Sequence, residues 1–322
     1  MLNYVIGPLL FIVLSYTIYE RIQNQPNLKQ SWQLILQSYQ NSGRWLIFCL
    51  ISLMLVNWGI EAKKWQLLIK PIEPVSYLRA FRAVLSGVSF SLFIPTGDYV
   101  GKILYMHEGN RLRSIPQSAA GSMSQLIITL FAGLISLIYL RLYVLEPKMQ
   151  LVGLSVFWLD ALMYVIASGL IVLLVIYYKL SWIATLLEKI PFIYKYRIFI
   201  QGLENFYTKD LTRILMLSLC RFIVFIVQYL LALHIFNVNI NWFDAVPATC
   251  VLFLVLALIP TVTIAELGIR GEVSIQLFGL LSANTLGIAA TAALIWVINL
   301  IIPALAGSLF ILGIKLFGNN QK

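Results

Sequence analysis

Charged and chemically reactive side chains are scarce in this chain of 322 residues. Only 11% of the residues are charged, with 13 acidic residues and 2 histidines. About a quarter of a soluble globular domain is charged, so this shortage excludes an ordinary soluble domain. Hydrophobic residues make up 60% of the chain and need lipid or other helices around them. The chain is therefore predicted to be a polytopic membrane protein.

Cysteine is rare too, and its three copies stand alone. Cys49, Cys220 and Cys250 lie singly in apolar stretches, and none belongs to a Cys-x-x-Cys motif. Such cysteines are typical of small packing residues, so we predict no disulfide, no metal site and no cofactor. The phosphate loop of ATPases and the His-Glu-x-x-His and Gly-x-Ser-x-Gly motifs are also missing. An enzyme would have to work from a few membrane carboxylates.

Six apolar segments are long enough to cross a bilayer, which needs about 20 apolar residues. They cover residues 2–19, 45–66, 116–140, 152–178, 211–236 and 285–314. Two further apolar runs, residues 80–94 and 245–259, are shorter, and a proline follows each. The stretches after them, 98–109 and 266–281, favour helix but carry charges. A half helix that enters the membrane, turns and returns to the same side accounts for both runs.

The basic residues indicate the orientation of the chain. The net charge is +10, and most lysines and arginines fall on the predicted cytoplasmic side when both short runs are re-entrant. This distribution favours an anionic lipid surface, and not nucleic acid, as the partner of the basic loops. Both termini are then cytoplasmic, and residues 1–19 are predicted to be a retained first span and not a signal peptide.

The same topology predicts an all-α membrane helical bundle built from two inverted repeats, each with a proline-tipped re-entrant hairpin. An odd number of spans lies between the starts of the two repeats, so the second repeat is upside down. We divide the single membrane domain, residues 1–322, into four parts. They are the first span and linker (1–44), repeat 1 (45–178), a cytoplasmic interfacial segment (179–210) and repeat 2 (211–322).

Each predicted hairpin carries an acid four residues before a base. On a helix this spacing places both side chains on one face. Charges beside apolar runs in a membrane are costly unless they are paired or line a wet cavity, so they are candidates for function. The candidate substrate-binding residues are Asp98, Lys102, Glu266, Arg270, Glu272 and Arg221, and the candidate hairpin tips are Pro95, Gly97, Gly101, Pro260, Gly268 and Gly271.

Basic groups near the centre of a bilayer suit an anionic, membrane-soluble ligand. Arginine grips phosphate through two parallel bonds and lysine acts as a point charge. The neighbouring acids would prevent permanent occupancy or take up protons. Two alternatives stay open from the sequence: the acid–base pairs only hold each hairpin together, and Arg221 snorkels to the cytoplasmic edge of its span.

Four short segments share motifs with one known family. Residues 57–65, Asn-Trp-Gly-Ile-Glu-Ala-Lys-Lys-Trp, are similar to the family's Asn-Trp followed by a basic-Trp pair. Residues 95–102 are similar to its first hairpin. Residues 260–271 are similar to its second, with Gly271 where the family has glutamate, and the closing residues 303–307 fit as well. The chain thus resembles the lysylphosphatidylglycerol synthase transmembrane family.

The resemblance implies a flippase-like lipid transporter of the bacterial cytoplasmic membrane, without the soluble aminoacyl-transferase domain of some members. Its substrate would be an anionic lipid or a polyprenyl-phosphate-linked lipid. Some relatives are linked to polyprenyl-phosphate sugar transfer, which keeps open an integral-membrane glycosyl- or phosphotransferase. A third interpretation is a non-transporting accessory subunit with a lipid-modifying enzyme as its partner.

Overall fold

The computed structural model describes residues 2–24, 28–38, 40, 44–92, 94, 96–144, 155–180, 207–259 and 263–317. Within these ranges every regular element is a helix, which confirms the predicted all-α class. The predicted interfacial segment, 179–210, lies largely outside the described residues. So do the two predicted tip prolines, Pro95 and Pro260.

The α-helices are numbered here in chain order. They are α1 (Leu2–Gln23), α2 (Leu28–Ser38), α3 (Arg44–Ile69), α4 (Tyr77–Ser91), α5 (Gly97–Ile103), α6 (Ser114–Tyr143), α7 (Val156–Tyr178), α8 (Thr208–Ile235), α9 (Trp242–Leu258), α10 (Thr263–Phe278), α11 (Thr285–Trp296) and α12 (Ile302–Phe317).

Five stretches of helix in the described residues are long and apolar enough to cross a membrane. They are α3, α6, most of α7, α8, and Thr285–Leu312, which runs through α11 into α12. Five of the six predicted spans are thereby confirmed as long apolar helices. The remaining one, residues 2–19, falls in α1, and its crossing of a membrane stays a prediction.

One wide turn interrupts the last of these stretches. Pro303 has no N–H to donate to a carbonyl one turn back, and Val297–Ile301 form a π-helical turn just before it. Asn299 in this turn is buried, and its side-chain nitrogen donates to the Ile295 carbonyl at 3.3 Å. The span predicted over 285–314 is therefore two α-helices joined by a π turn.

Two pairs of short helices, α4–α5 and α9–α10, occupy the positions of the predicted hairpins. Ser76 caps α4 and Asn241 caps α9, each through a side-chain oxygen that accepts a backbone N–H. The α5 helix ends at Ile103 instead of filling the predicted range 98–109, and Glu108–Asn110 form a 3-10 turn. Re-entry into a membrane and the inverted repeat stay predictions.

The chain forms two compact units that are interleaved along the sequence. Unit 1 comprises Met1–Met54, Thr129–Ser168 and Ile223–Asn299, and unit 2 comprises Leu55–Ile128, Gly169–Phe222 and Leu300–Lys322. Unit 1 contains the α9–α10 pair, and unit 2 contains the α4–α5 pair. These units do not test the predicted division into two repeats, which stays a prediction.

In unit 2, glycines bring α4 and α5 into backbone contact. A Cβ atom at Gly101 would overlap the backbone of Gly87, and one at Gly97 would overlap the backbone of Phe90. Gly97, at the start of α5, contacts Phe90, whereas Gly101, one turn later, contacts Gly87, which is earlier in α4. The two helices are therefore antiparallel. Only hydrogen atoms fit between the two backbones, and the pair is a closely packed helical hairpin.

The α12 helix packs against α4 in a similar way. A Cβ atom at Gly307 would overlap the backbone carbonyl of Leu85. The Ser89 hydroxyl donates to the Ala304 carbonyl at 2.5 Å. The α4 helix of unit 2 is therefore held through small side chains on two sides.

In unit 1, a group of aromatic rings packs α8, α9 and α10 together. The Tyr229 ring stacks on Phe278 with centroids 5.6 Å apart and meets Phe253 edge to face at 6.0 Å. The Tyr229 hydroxyl is buried and lies 2.6 Å from the Ser274 hydroxyl. Aromatic pairs in these geometries add to the stability that burial alone provides.

A buried carboxylate ties the base of the α4–α5 hairpin. Glu73, which precedes α4, accepts the His107 backbone N–H at 3.0 Å and the Asn110 side-chain N–H at 3.2 Å, both from the segment after α5. Arg79 pairs with it at 3.0 Å. Burial alone would raise the pKa of the Glu73 carboxyl, but these three groups together outweigh it and hold that pKa below its ordinary value of 4.5.

A neutral side chain ties the base of the α9–α10 pair. Asn284, which follows α10, donates to the carbonyls of Phe236 and Asn237, which precede α9, each at 3.1 Å. Its oxygen accepts the Gly287 N–H at 3.0 Å and so caps α11. Asn237 has a φ of 54°, in the left-handed region, where asparagine is one of the better tolerated residues.

Candidate functional site

A buried cluster of charged side chains lies in unit 2 around Glu61 of α3. Its Oε2 atom lies 2.7 Å from Lys64 Nζ and 3.1 Å from the Arg221 guanidinium, and its Oε1 atom lies 3.6 Å from Lys102 Nζ. Lys102 also pairs with Asp98 at 2.6 Å. We call these five residues the buried charge cluster. It joins α3, α5 and α8 through three cations and two carboxylates.

Local helix geometry positions most of the cluster. Glu61 and Lys64 are three residues apart on α3, and Asp98 and Lys102 are four apart on α5, so each pair shares a helix face. The Lys64 and Lys102 side chains are only 1% and 4% exposed, whereas Asp98 is 34% exposed. Charges this deeply buried persist only when other charges and hydrogen bonds compensate them. Asp98 is the most accessible member of the cluster.

Arg221 enters the cluster from α8. Its Nε donates to Asn57 Oδ1 at 2.7 Å, and its guanidinium carbon lies 5.1 Å from the ring centroid of Trp58. The side chain is 13% exposed. Arg221 is therefore held inside unit 2 by residues of α3.

A line of hydrogen bonds leads from the cluster into α6. Lys64 Nζ donates to the Ser218 hydroxyl at 3.4 Å, and that hydroxyl lies 2.7 Å from the Ser124 hydroxyl. Next to Lys64, the Trp65 indole donates to Ser118 at 3.2 Å. Small residues of α6 thus supply polar partners to α3 and α8.

Sequence analysis did not include Glu61 and Lys64 among the candidates. Both positions lie near the end of the predicted span, residues 45–66, where charged side chains commonly face the membrane surface. In the structure α3 continues to Ile69, and both side chains are buried. An acid three residues before a base, one turn after the Asn-Trp motif at residues 57–58, is the signal that identifies them.

The α9–α10 pair in unit 1 has a smaller charged site. Arg270 pairs with Glu266 at 2.5 Å, and its guanidinium carbon lies 5.9 Å from the ring centroid of Phe253. The Arg270 side chain is 12% exposed, and its Nε atom is buried without a hydrogen-bond partner among the described residues. A buried donor without a partner is costly, and a ligand oxygen would satisfy it.

Glu272 does not contribute to this pair. It lies 2.8 Å from Arg21 of α1 and accepts a hydrogen bond from Gln276 at 2.6 Å. The acid that neutralises Arg270 is therefore Glu266. The candidate Glu272 instead links α10 to α1 within unit 1.

The predicted tip glycines have different positions. Gly97 is the first residue of α5, but Gly101, Gly268 and Gly271 lie inside helices. These three are not tip residues: Gly101 provides the contact with α4, Gly268 is buried within α10, and an added Cβ at Gly271 would lie 2.7 Å from an Ile18 methyl group of α1. The local reason is that a small residue is needed where helices approach closely.

The two charged sites differ in net charge, and therefore in how strongly they attract an anion. The buried charge cluster carries one more positive than negative charge, and the Glu266–Arg270 pair is neutral. A buried excess of positive charge attracts an anion strongly, because little water screens it. Among the described residues, no three His, Cys, Asp or Glu side chains are grouped so that they could hold a metal ion.

Residues 5–307 match the family described as "Lysylphosphatidylglycerol synthase TM region". No curated protein and no solved structure matches the chain. The family match includes every residue of both charged sites and indicates a multi-pass membrane protein with a lipid-related function. The chain belongs to the lysylphosphatidylglycerol synthase transmembrane family.

Proposed function

We propose that this chain moves an anionic, phosphate-bearing lipid between the leaflets of a bacterial cytoplasmic membrane. The observation that supports this proposal most is the buried charge cluster, in which three cations surround two carboxylates. Ionisable residues inside membrane proteins are expensive to bury, and they are candidates for a substrate pathway by default. A net positive site among apolar helices suits the phosphate of a lipid.

In the resting protein the acids of the cluster hold its cations. Lys102 contacts both Asp98 and Glu61, and Asp98 is the more exposed of the two acids. We expect a lipid phosphate to approach Lys102 from the side of Asp98 and to take over part of its contact. The displaced carboxylate then repels the phosphate, which prevents permanent occupancy and allows release.

Arg270 is the second proposed phosphate-binding group. Its guanidinium packs against Phe253. Its Nε, which has no hydrogen-bond partner among the described residues, can join one terminal nitrogen in two parallel bonds to a phosphate. Lysine has no such fork, so the two sites are expected to differ in how tightly they grip the same anion. Glu266 would serve as the counter-charge while no ligand is bound.

Reconstitution into liposomes tests the proposal directly. Fluorescent phosphatidylglycerol or a fluorescent polyprenyl phosphate is placed in both leaflets, and dithionite then bleaches the label that reaches the outer leaflet. We expect Lys102→Gln and Arg270→Gln to slow movement of one of these anionic lipids at least about tenfold, because a hydrogen bond to a charged group contributes about 1.5–3 kcal/mol. Arg270→Lys should retain part of the rate, since charge remains but the fork is lost.

Arg141→Gln is the matched control. Arg141 pairs with Asp160 at 3.1 Å in unit 1, and Asp160 is 41% exposed, so the control removes one arginine from an ion pair outside both charged sites. Its transport rate should equal that of the unaltered chain. A fully active, stable Glu266→Gln/Arg270→Gln double variant would show instead that this pair only stabilises the fold.

Two other functions are possible outcomes of the same experiment. An integral-membrane glycosyl- or phosphotransferase would change the headgroup of the labelled lipid, which thin-layer chromatography detects, without moving it. A non-transporting accessory subunit would do neither until its enzyme partner is added. Either result, with a correctly folded chain, would overturn the transport proposal.

A further inference from the structure

A cavity with positive charge lies in unit 2, where α3 ends and α8 begins. Its volume is about 320 Å³, within the usual range of ligand pockets. Apolar side chains, those of Leu67, Leu68 and Ile214, form part of its wall. Lys70 and Arg213 line it as well, together with Asp210, so its cations outnumber its acids by one.

This cavity continues the contact between α3 and α8 that holds the buried charge cluster. Along that contact Glu61 pairs with Arg221, Lys64 reaches Ser218, and the cavity follows at the next turns of both helices. Eight residues separate Arg213 from Arg221, which is about 12 Å along a helix. The cavity is therefore a distinct site that shares its helix faces with the cluster.

We propose that this cavity binds the phosphate headgroup of an anionic membrane lipid, as a loading site before the buried charge cluster. The combination of surfaces supports a lipid: the cations suit a phosphate, and the leucine and isoleucine side chains suit the first methylenes of the acyl chains. Lys70 and Arg213 are exposed, whereas Lys64 and Lys102 are buried. A headgroup can therefore reach the cavity without displacing a buried ion pair.

The inference rests on the proposed function for what happens after binding, but the binding itself is tested separately. Full-length protein is purified and exposed to vesicles of phosphatidylcholine with an increasing fraction of phosphatidylglycerol. Retained lipid is counted by native mass spectrometry, and transport is measured in the same vesicles. In Lys70→Gln/Arg213→Gln we expect retained phosphatidylglycerol to fall about 25-fold, because each of the two cations contributes a factor of about five.

The transport measurement distinguishes loading from the transfer step. The phosphatidylglycerol fraction that gives half the maximal rate should rise in Lys70→Gln/Arg213→Gln, while the maximal rate stays within about twofold. Lys63→Gln/Lys209→Gln is the matched control, because it removes the same charge from exposed positions of α3 and α8 that do not line the cavity. The charge-conserving variant Lys70→Arg/Arg213→Lys should restore lipid retention if the neutral variant is unstable.

Several results would overturn the inference. Equal loss of lipid in the neutral variant and in its matched control would mean that only overall surface charge matters. Competition by soluble glycerol 1-phosphate as strong as that by the lipid would identify a free phosphate site. A lower maximal rate with unchanged half-saturation would remove the loading role. If the unaltered chain moves no lipid but Lys70→Gln/Arg213→Gln still loses phosphatidylglycerol, the binding site stands and the transport proposal fails.

Discussion

In the α4–α5 hairpin the buried base, Lys102, reaches an acid on a long apolar helix, whereas in the α9–α10 pair Arg270 is neutralised by an acid of its own helix. Lys102 has two carboxylate partners, Asp98 and Glu61. Arg270 has Glu266 and the face of an aromatic ring. The first site therefore depends on several elements, and the second is nearly self-contained.

The side chains that tie the two helix pairs also differ in charge. Glu73 ties the α4–α5 hairpin with a carboxylate, and Asn284 ties the α9–α10 pair with an amide. Both side chains close a helix pair through backbone groups on its far side. Only the first of these ties can titrate. The comparison shows that two pairs of short helices can be tied by side chains that respond differently to pH.

The strongest test concerns sidedness, where the expected result is all or none. Cysteines replace Ser76 and Gly109, which flank the α4–α5 hairpin, and Asn239 and Ala283, which flank the α9–α10 pair, one at a time in a chain without other cysteines. An added side chain at Gly109 meets no atom within 4 Å. If both pairs are re-entrant and inverted, the first two label only from the cytoplasm and the last two only from outside. Labelling of the cysteines at positions 76 and 109 from opposite sides of the membrane would refute re-entry of the α4–α5 hairpin.

The next largest effect should follow removal of an acid. Glu61→Ala leaves Lys64, Lys102 and Arg221 with one carboxylate among them, and loss of one partner from a buried ion pair costs about 3–5 kcal/mol. Glu266→Ala leaves a single arginine unpaired, and the Glu266 side chain is 28% exposed, so its cost should be smaller. Unfolding in detergent, with Asp160→Ala as an exposed control, measures the difference. Equal losses would show that the cluster does not act as one network.

A smaller contrast is expected between two helix glycines. Gly101→Ala would push a methyl group into the backbone of Gly87, and overpacking of this kind costs about 1–3 kcal/mol. Gly271→Ala would meet only the end of the Ile18 side chain, which can rotate away, so its cost should be under about 1 kcal/mol. The free energy of unfolding of each variant checks the order. A larger loss at Gly271 would contradict the packing described for α4 and α5.

The smallest effect concerns pH. The pKa of Glu73 is lower in the folded chain than its ordinary value of 4.5. Its carboxylate therefore stabilises the fold above pH 4.5, and this contribution is lost as the pH falls toward the folded pKa. Glu73→Gln should be less stable than the unaltered chain by about 1–2 kcal/mol at pH 7, and the gap should close in acid. Asn284→Ala should lose stability equally at both pH values, as thermal unfolding will show.

Sequence spacing predicts the local part of these sites and misses the part that depends on tertiary contacts. Asp98 with Lys102 and Glu266 with Arg270 are neighbours because both pairs have a four-residue spacing on one helix. Nothing in the spacing indicates that Arg221 meets Glu61, since the two lie on helices far apart in the chain. Only the packing of α3 against α8 brings them together.

The same distinction explains the glycines. Sequence analysis assigns Gly101 and Gly271 to turns, because glycine beside proline in an apolar segment commonly marks a break. Both lie within helices, where the missing side chain serves a close approach to another helix. A single sequence shows where glycine occurs, but the helix it faces depends on the tertiary fold. The broad class, in contrast, follows from hydropathy alone, and five of the long apolar helices lie where the sequence predicts them.

The backbone contact between Gly87 and Gly101 has a consequence for movement. Because only hydrogen atoms separate α4 from α5, the two helices cannot slide or part without losing this contact along their length. A displacement of the hairpin would carry Asp98 and Lys102 together as a rigid body and leave their ion pair intact. The distance from Lys102 to Glu61, which belongs to a different helix, would change instead. That distance is the natural coordinate for following a conformational cycle of this protein by spectroscopy.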